Sequence, residues 1–374
     1  MSKKASLRFS ILRGFVAILI SLFIASILIF ISAEGGSFGE KLSSTGEALV
    51  YLIVRPILNG KGAFSVKSLT DILACMIPTI FTGLATCVMF SANQFNLGAE
   101  GGIMLGAFVS ALVAIYVPMG TGIHMVVAVL AGAASVAVMM LIPGILKAKL
   151  DVSEMVCSLM LNYVVMYAIK FMMNTYFADK TKGQVQSLPF EKTALVPQLI
   201  NNGSKLTWGF ILALIFVALT ALFMYRTRWG YAIRMIGINR DFAKYSGMKV
   251  AAIIVASQVI GGVLAGLGGG VEMLGRNEFY SWSALPGYGW TGITIACIAG
   301  NNPILVPLAA FFIAYLDKGC NLMATYCGIP AQLIDIIQAV IFLFFAAEQF
   351  LSGYRQKLVV RSAQQELREK EGQK

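Results

Sequence analysis

Charge is what this sequence most lacks. Only 13% of its 374 residues are charged and 58% are hydrophobic, giving a mean hydropathy of +0.78. Soluble domains are nearer a quarter charged, so the shortage excludes a water-soluble globule, and the long apolar runs point to an all-α integral membrane protein. Histidine is nearly absent, with His124 alone, and no pair of cysteines has zinc-ligand spacing, so no metal site is expected. The six cysteines mostly fall in apolar runs, where Cys acts as a small hydrophobe. Only Cys320 and Cys327 read as sharing an external loop, a disulfide between them being the lesser reading. Also missing is a phosphate-binding loop: Gly60 and Lys61 in "NGKGAF" (59–64) have neither the upstream glycine nor the following hydroxyl residue. The chain therefore has no P-loop with which to hydrolyse ATP, and it is not expected to be an enzyme. "GYGWTG" (287–292) has the letters of a dinucleotide fingerprint, but no strand precedes it, so that match is discarded.

What is present is span after span. At roughly 20 apolar residues per crossing, apolar runs between polar breaks predict about ten transmembrane helices: 14–32, 69–90, 97–117, 123–146, 153–177, 207–225, 251–274, 287–300, 303–319 and 331–352. No segment is long and polar enough for a soluble domain, so 1–374 reads as a single transmembrane domain. The stretch at 15–32 has a basic leader but is too long for a signal h-region, and it reads as a retained anchor. The net charge of +11 invites a nucleic-acid partner, but its placement argues against one. Lys3, Lys4, Arg8 and Arg13 lie at the start. Arg226, Arg228, Arg234, Arg240, Lys244 and Lys249 lie in 226–250, against Asp241 alone. That is the positive-inside pattern, and it puts both termini, the loop 226–250 and the tail 353–374 in the cytoplasm, with 178–206 outside. The charged segment 38–58 reads as an external interfacial helix. Two places, 93–102 and 287–300, read as broken or re-entrant segments, which membranes tolerate only where protein or a cavity covers them.

Polar groups inside spans are costly unless paired or hydrated. If 93–100 is helical, Asn93, Asn96 and Glu100 share a face, as do Glu154 and Asn162; Glu272 closes a later span and Asp335 opens the last. Lys170 is the one clear cation well inside a span. Amides and carboxylates beside Phe90, Phe95, Trp282, Tyr288 and Trp290 suit an uncharged polar cargo carrying hydroxyls and a flat ring, such as a nucleoside or a sugar. The expected substrate pathway is thus Asn93, Phe95, Asn96, Glu100, Glu154, Asn162, Glu272, Tyr288 and Trp290. The glycine run 261–270 reads as close helix packing. In 226–250, a short helical core from Asn239 to Ser246 ends at Gly247, and Tyr231, Ile233, Met235 and Ile236 read as exposed apolar groups of a docking surface.

Four blocks then carry a family resemblance. "NQFNLGAEGGIMLGA" resembles the N-I-G-A-E-G-Q signature of ABC-transporter permeases of the nucleoside and simple-sugar importer group, relatives of ribose and branched-chain amino acid permeases. "LKAKLDVSEMVCSLMLNYV", "GYAIRMIGINRDFAKYSGMKV" and "GYGWTGITIACIAGNNP" are similar to that group's later blocks, in order, over 91–303. Gly102 stands where the group has Gln, Ser158 near its usual Thr, and Phe242 where it has Ala. The resemblance implies one permease subunit of an ATP-driven importer in the cell membrane, most simply for nucleosides, with a simple sugar as the second cargo; apart from the resemblance, a proton-coupled secondary transporter relaying protons through Glu100, Glu154 and Glu272 is the competing reading. The implied partners are a cytoplasmic ATPase that binds ATP and Mg, a second permease and an extracytoplasmic binding lipoprotein; no cofactor is implied for this chain. It further implies that Tyr231, Arg234, Asn239, Arg240, Asp241, Tyr245 and Gly247 couple to the ATPase.

Overall fold

The computed structural model describes residues 38–58, 63–200 and 203–327, with isolated positions in 23–31 and 336–340. The basic N-terminus, most of the spans expected at 14–32 and 331–352, Asp335 and the tail 353–374 lie outside the described residues. All regular structure among the described residues is helical. In order these helices are α1 (Phe38–Ile53), α2 (Val66–Ser91), α3 (Ala99–Tyr116), α4 (Ile123–Leu150), α5 (Glu154–Met172), α6 (Gly209–Arg226), α7 (Arg228–Ile238), α8 (Arg240–Tyr245), α9 (Val250–Arg276), α10 (Tyr288–Ile298) and α11 (Val306–Cys327). Seven helices, α2 to α6, α9 and α11, are long and apolar enough to cross a membrane, α5 with a π turn to Phe177 and α11 with a leading 3-10 turn. The expected span 287–300 is instead the 11-residue α10, about 16 Å long and too short for a hydrocarbon core of roughly 30 Å.

The described chain divides into two compact units, Ile57–Tyr315 and Met1–Pro56 with Leu316–Lys374. In the smaller unit the end of α1 meets the end of α11: the Tyr51 and Tyr326 rings stack at 5.2 Å and the Arg55 guanidinium lies 5.5 Å from the Tyr51 ring centroid. Cys320 and Cys327 both sit on α11 and are free thiols. Seven residues apart on one helix, they are about 10 Å apart along its axis, beyond the reach of a disulfide; no external loop holds them.

In the larger unit α9 is central, packed on α2, α3 and α4. Small residues make this possible. A Cβ at Gly106 would fall 2.7 Å from the Gly266 Cα, and one at Gly269 would meet the Ile103 carbonyl. Backbones approach that closely only without side chains, the packing mode of membrane helices. One end of this unit gathers 91–98, 150–153 and the basic stretch 226–250. The opposite end is covered by 178–208, which runs along the exit of α9: Ser187 N–H donates to Tyr280 O at 2.9 Å, Phe190 N–H to Glu278 O at 2.8 Å and Val196 N–H to Leu274 O at 3.0 Å.

The basic end is more ordered than a loop. Thr227 caps α7 by accepting the Gly230 N–H at 3.1 Å, and Asn239 caps α8 by accepting the Phe242 N–H at 2.9 Å. Gly247 (φ +80°) closes α8 with a Schellman motif: its N–H reaches Lys244 O and that of Met248 reaches Ala243 O, both at 3.1 Å. Ile233 and Ile236 are buried rather than exposed, because α7 lays one face against α2, α6 and α9. The apolar groups in water are Trp229, Tyr231, Ile238, Phe242 and Tyr245.

Candidate functional site: a broken helix and the helix end it holds

Asn93, Asn96 and Glu100 do not share a helical face. Helix α2 ends at Ser91 and is closed by Asn93, a non-glycine residue with φ +54°, a conformation asparagine tolerates better than most. Its N–H returns to Phe90 O at 2.9 Å and that of Gln94 to Met89 O at 3.1 Å, again a Schellman pattern. Helix α3 begins only at Ala99. Between them, 92–98 is irregular backbone, and past Gln94 the amides of Phe95 and Leu97 have no backbone partner from the helix.

Side chains of α5 supply those partners. Glu154, Ser158 and Asn162, at i, i+4 and i+8, form one buried stripe. The Phe95 N–H donates to Glu154 Oε1 at 3.0 Å, the Leu97 N–H to Ser158 Oγ at 2.9 Å and the Gly101 N–H to Asn162 Oδ1 at 2.9 Å; Asn162 Nδ2 donates back to Leu97 O at 3.0 Å. Asn96 closes the break on the other side, its Oδ1 accepting the Gly98 N–H at 2.6 Å and its Nδ2 donating to Gln258 Oε1 of α9 at 2.8 Å. The expected pair Glu154 and Asn162 is therefore on one face. Ser158, noted in the sequence only as standing near the family's usual Thr, and Gln258, a polar letter in an apolar run, complete it.

Glu100, fully buried, reaches across to α10. Its Oε1 accepts the Gly287 N–H and its Oε2 the Gly289 N–H, each at 2.5 Å, with the Trp290 N–H at 3.3 Å. A carboxylate meeting the free amides of a helix start is a charge-assisted cap. A Cβ at Gly289 would collide with the Glu100 backbone, so the glycine is what lets the two helices meet. A second carboxylate holds the same turn: Glu272 Oε1 accepts the Tyr288 hydroxyl at 3.2 Å and Arg276 Nη1 at 3.2 Å. Glu100 and Glu272, both expected on the substrate pathway, thus both bind the first turn of α10.

What remains open is aromatic. Asn93 is exposed, Phe95 is 51% and Trp290 39% exposed, and the Phe90 and Phe95 rings stack at 4.3 Å. Trp282 and Tyr288 form a separate pair at 6.1 Å. The structure adds two cations to Lys170, which sits 5.9 Å from the Tyr167 ring centroid. Lys147 falls within α4 because that helix runs to Leu150, past the expected end at 146, and Arg276 ends α9. Each faces a carboxylate, Lys147 with Glu154 Oε2 at 3.2 Å and Arg276 with Glu272. The Arg234 guanidinium lies 5.2 Å from the Tyr225 ring centroid, and its Nε is buried. No group of three or more metal-ligating residues occurs among the described residues.

Known proteins resemble this chain over most of its length. Residues 68–346 match the family described as the permease component of the branched-chain amino acid transport system. The glucose ABC transporter permease protein TsgB13 of Haloferax volcanii is 32% identical over 84% of this chain and 86% of its own. The guanosine ABC transporter permease protein NupP of Bacillus subtilis is 31% identical over 76% of this chain and 83% of its own. The nucleoside ABC transporter permease protein NupB of Lactococcus lactis is 32% identical over 77% and 81%. No solved structure matches.

Proposed function

Because the chain belongs to the permease-component family of branched-chain amino acid transport systems, we propose that it is the membrane-spanning subunit of an ATP-driven importer in the cell membrane, and that its cargo is a nucleoside. ATP and Mg bind a separate cytoplasmic ATPase, a second permease completes the pore, and an extracytoplasmic lipoprotein delivers substrate. The observation that carries the cargo assignment is the break at 92–98: an exposed aromatic, Phe95, stacked on Phe90, with the exposed amide side chain of Asn93 two residues before it. A flat base stacks on such a ring, and ribose hydroxyls bond to amides. The charges near the break are already matched, Glu100 by three amides and Lys147 by Glu154. A zwitterionic amino acid or a nucleotide would find no free counter-charge among them. The same engagement argues against a proton relay through Glu100, Glu154 and Glu272, whose carboxylates are held by amides and cations. Two relatives named for guanosine and nucleoside transport support the reading; one named for glucose supports a sugar as the second.

The docking surface proposed for the ATPase is α8 with its flanks. Tyr231, Tyr245, Arg240 and Asp241 face the partner, Asn239 and Gly247 fix the helix ends, and Arg234 holds α7 against Tyr225. The test is uptake of labelled nucleoside by the reconstituted complex, challenged with excess nucleosides, ribose, glucose and branched-chain amino acids. Nucleosides alone are expected to compete. Competition by glucose or ribose moves the cargo to sugars, and uptake that survives a catalytically dead ATPase but stops when the proton gradient is collapsed removes the ATP-driven mechanism.

A further inference from the structure

Four polar contacts connect α8 to the broken helix. Arg240 Nη1 of α8 lies 3.3 Å from Asp151 Oδ1, and the same Asp151 oxygen lies 3.2 Å from Lys147 Nζ. Lys147 Nζ is 3.2 Å from Glu154 Oε2, and Glu154 Oε1 accepts the Phe95 N–H at 3.0 Å. No link is spare. Each charged group between the ends has a partner on both sides, and at the less exposed inner pair, Lys147 and Glu154, a displaced partner is the least readily replaced by water. The two ends of this chain lie on separate elements, and its interior members differ in exposure. Asp151 is 69% exposed in its side chain, whereas Lys147 is 18% and Glu154 10% exposed. The interaction therefore strengthens as it moves away from water. Asp151 is also pinned by its backbone. It caps α4 in the left-handed region (φ +51°), its N–H returning to Lys147 O at 3.2 Å. The Lys147 ammonium and then the Arg240 guanidinium hold its carboxyl below the ordinary aspartate range, so it stays charged at neutral pH.

We propose that Lys147 is a positioning residue for transport: the chain Arg240–Asp151–Lys147–Glu154 ties the position of α8 to the backbone of Phe95, so that movement of the docking helix is delivered to the aromatic face of the break. Neither Lys147 nor Asp151 contacts cargo or ATPase in this scheme. They act through Glu154, whose single carboxylate is shared between the relay and the broken backbone. A displacement of α8 is thereby felt at Phe95 without passing through the apolar packing of α9. Energetic coupling of this kind requires an element with two arrangements that both sites bias, and the proposal gives that role to the break, whose Phe95 and Leu97 amides are held by side chains of α5 and not by helix carbonyls.

The inference rests on the proposed docking of an ATPase at α8, and the experiment separates the two. The complex is reconstituted with Lys147→Met, Asp151→Asn and Lys147→Arg permeases, and ATP hydrolysis and nucleoside uptake are measured together. Lys147→Met and Asp151→Asn are expected to retain the ATPase on purification and to hydrolyse ATP, while uptake per ATP falls about fivefold or more; Lys147→Arg restores it. Wild-type uptake per ATP in Lys147→Met overturns the relay, as does failure of Lys147→Arg to restore a loss, which would make Lys147 a packing residue. If Lys147→Met does not assemble, Asp151→Asn decides, because the amide is isosteric, exposed and tolerant of the left-handed backbone: undiminished uptake per ATP there overturns the relay. A Tyr245→Asp permease that still retains the ATPase overturns the docking reading itself. Loss of the ATPase in that variant, with uptake per ATP unchanged in Asp151→Asn, overturns the relay alone.

Discussion

At the scale of single residues, the buried polar set is occupied with backbone. Glu100 accepts three amides of α10 from a fully buried position, so Glu100→Gln replaces one acceptor oxygen with an amide nitrogen that faces donors and removes the charge that strengthened the rest. Hydrogen bonds to charged groups contribute roughly 1.5–3 kcal/mol each and an unmet buried group costs a similar amount. The purified Glu100→Gln permease is expected to lose at least about 2 kcal/mol of stability on that scale, read as earlier thermal unfolding in detergent. A melting curve superimposable on wild type would reduce Glu100 to a bystander. The stripe formed by Glu154 and Asn162 was legible in the sequence because helical spacing alone puts such residues on one face. The break expected at 93–102 is present at 92–98; the letters did not show that a Schellman turn built on asparagine, without the usual glycine, takes Asn93 off the helical face of Asn96 and Glu100. Gln258 escaped notice, and Ser158 was noted only as standing near the family's Thr, because their meaning depends on which backbone the fold brings opposite them.

At the scale of elements, short helices carry the distinctive geometry. Helix α10 is the expected short segment at 287–300, recognisable from its length, but its two carboxylate partners come from α3 and α9 and no local pattern announces them. Helix α8 was legible almost to the residue, because its Asn cap and Gly terminator are local signals. The buried face of α7 was not, and amphipathic letters alone could not say whether Ile233 and Ile236 faced a partner or the chain's own spans. Of the exposed apolar groups in this stretch, α8 itself carries Phe242, 54% exposed, and Tyr245, 90% exposed. Neither buries much against its own chain, so Phe242→Asp with Tyr245→Asp is expected to leave the permease folded and monodisperse. If these aromatics anchor the ATPase, the pair costs at least about 2 kcal/mol of binding, some thirtyfold, and the ATPase is lost on affinity purification. Normal copurification at wild-type stoichiometry would move the docking surface elsewhere. Arg234 is a poor probe of the same question, because its removal uncovers Tyr225 within the chain.

At the scale of the whole molecule, the distribution of charge and the pairing of ends make one claim about orientation. The segments 91–98, 150–153 and 226–250 meet at one end of the larger unit, joined by the Arg240–Asp151 and Glu154–Phe95 contacts. The segment 178–208 and the exit of α9 meet at the other, joined by the Lys205 ammonium donating to Arg276 O at 3.0 Å. The first end holds Arg226, Arg228, Arg234, Arg240, Lys244 and Lys249, and an excess of Lys and Arg in short loops marks the cytoplasmic side. An ATPase has access only to that side, so orientation and docking stand or fall together. A cysteine-free permease carrying Tyr245→Cys is expected to react with a membrane-impermeant maleimide only after the cells are opened. Thr181→Cys, in the exposed turn where Asp179 accepts the Thr181 N–H at 2.9 Å, is expected to react on intact cells. Both positions are exposed in the structure, so a lack of labelling reports the membrane and not burial. Labelling of Tyr245→Cys on intact cells would reverse the orientation, place α8 beyond the reach of ATP and exclude it as the coupling element.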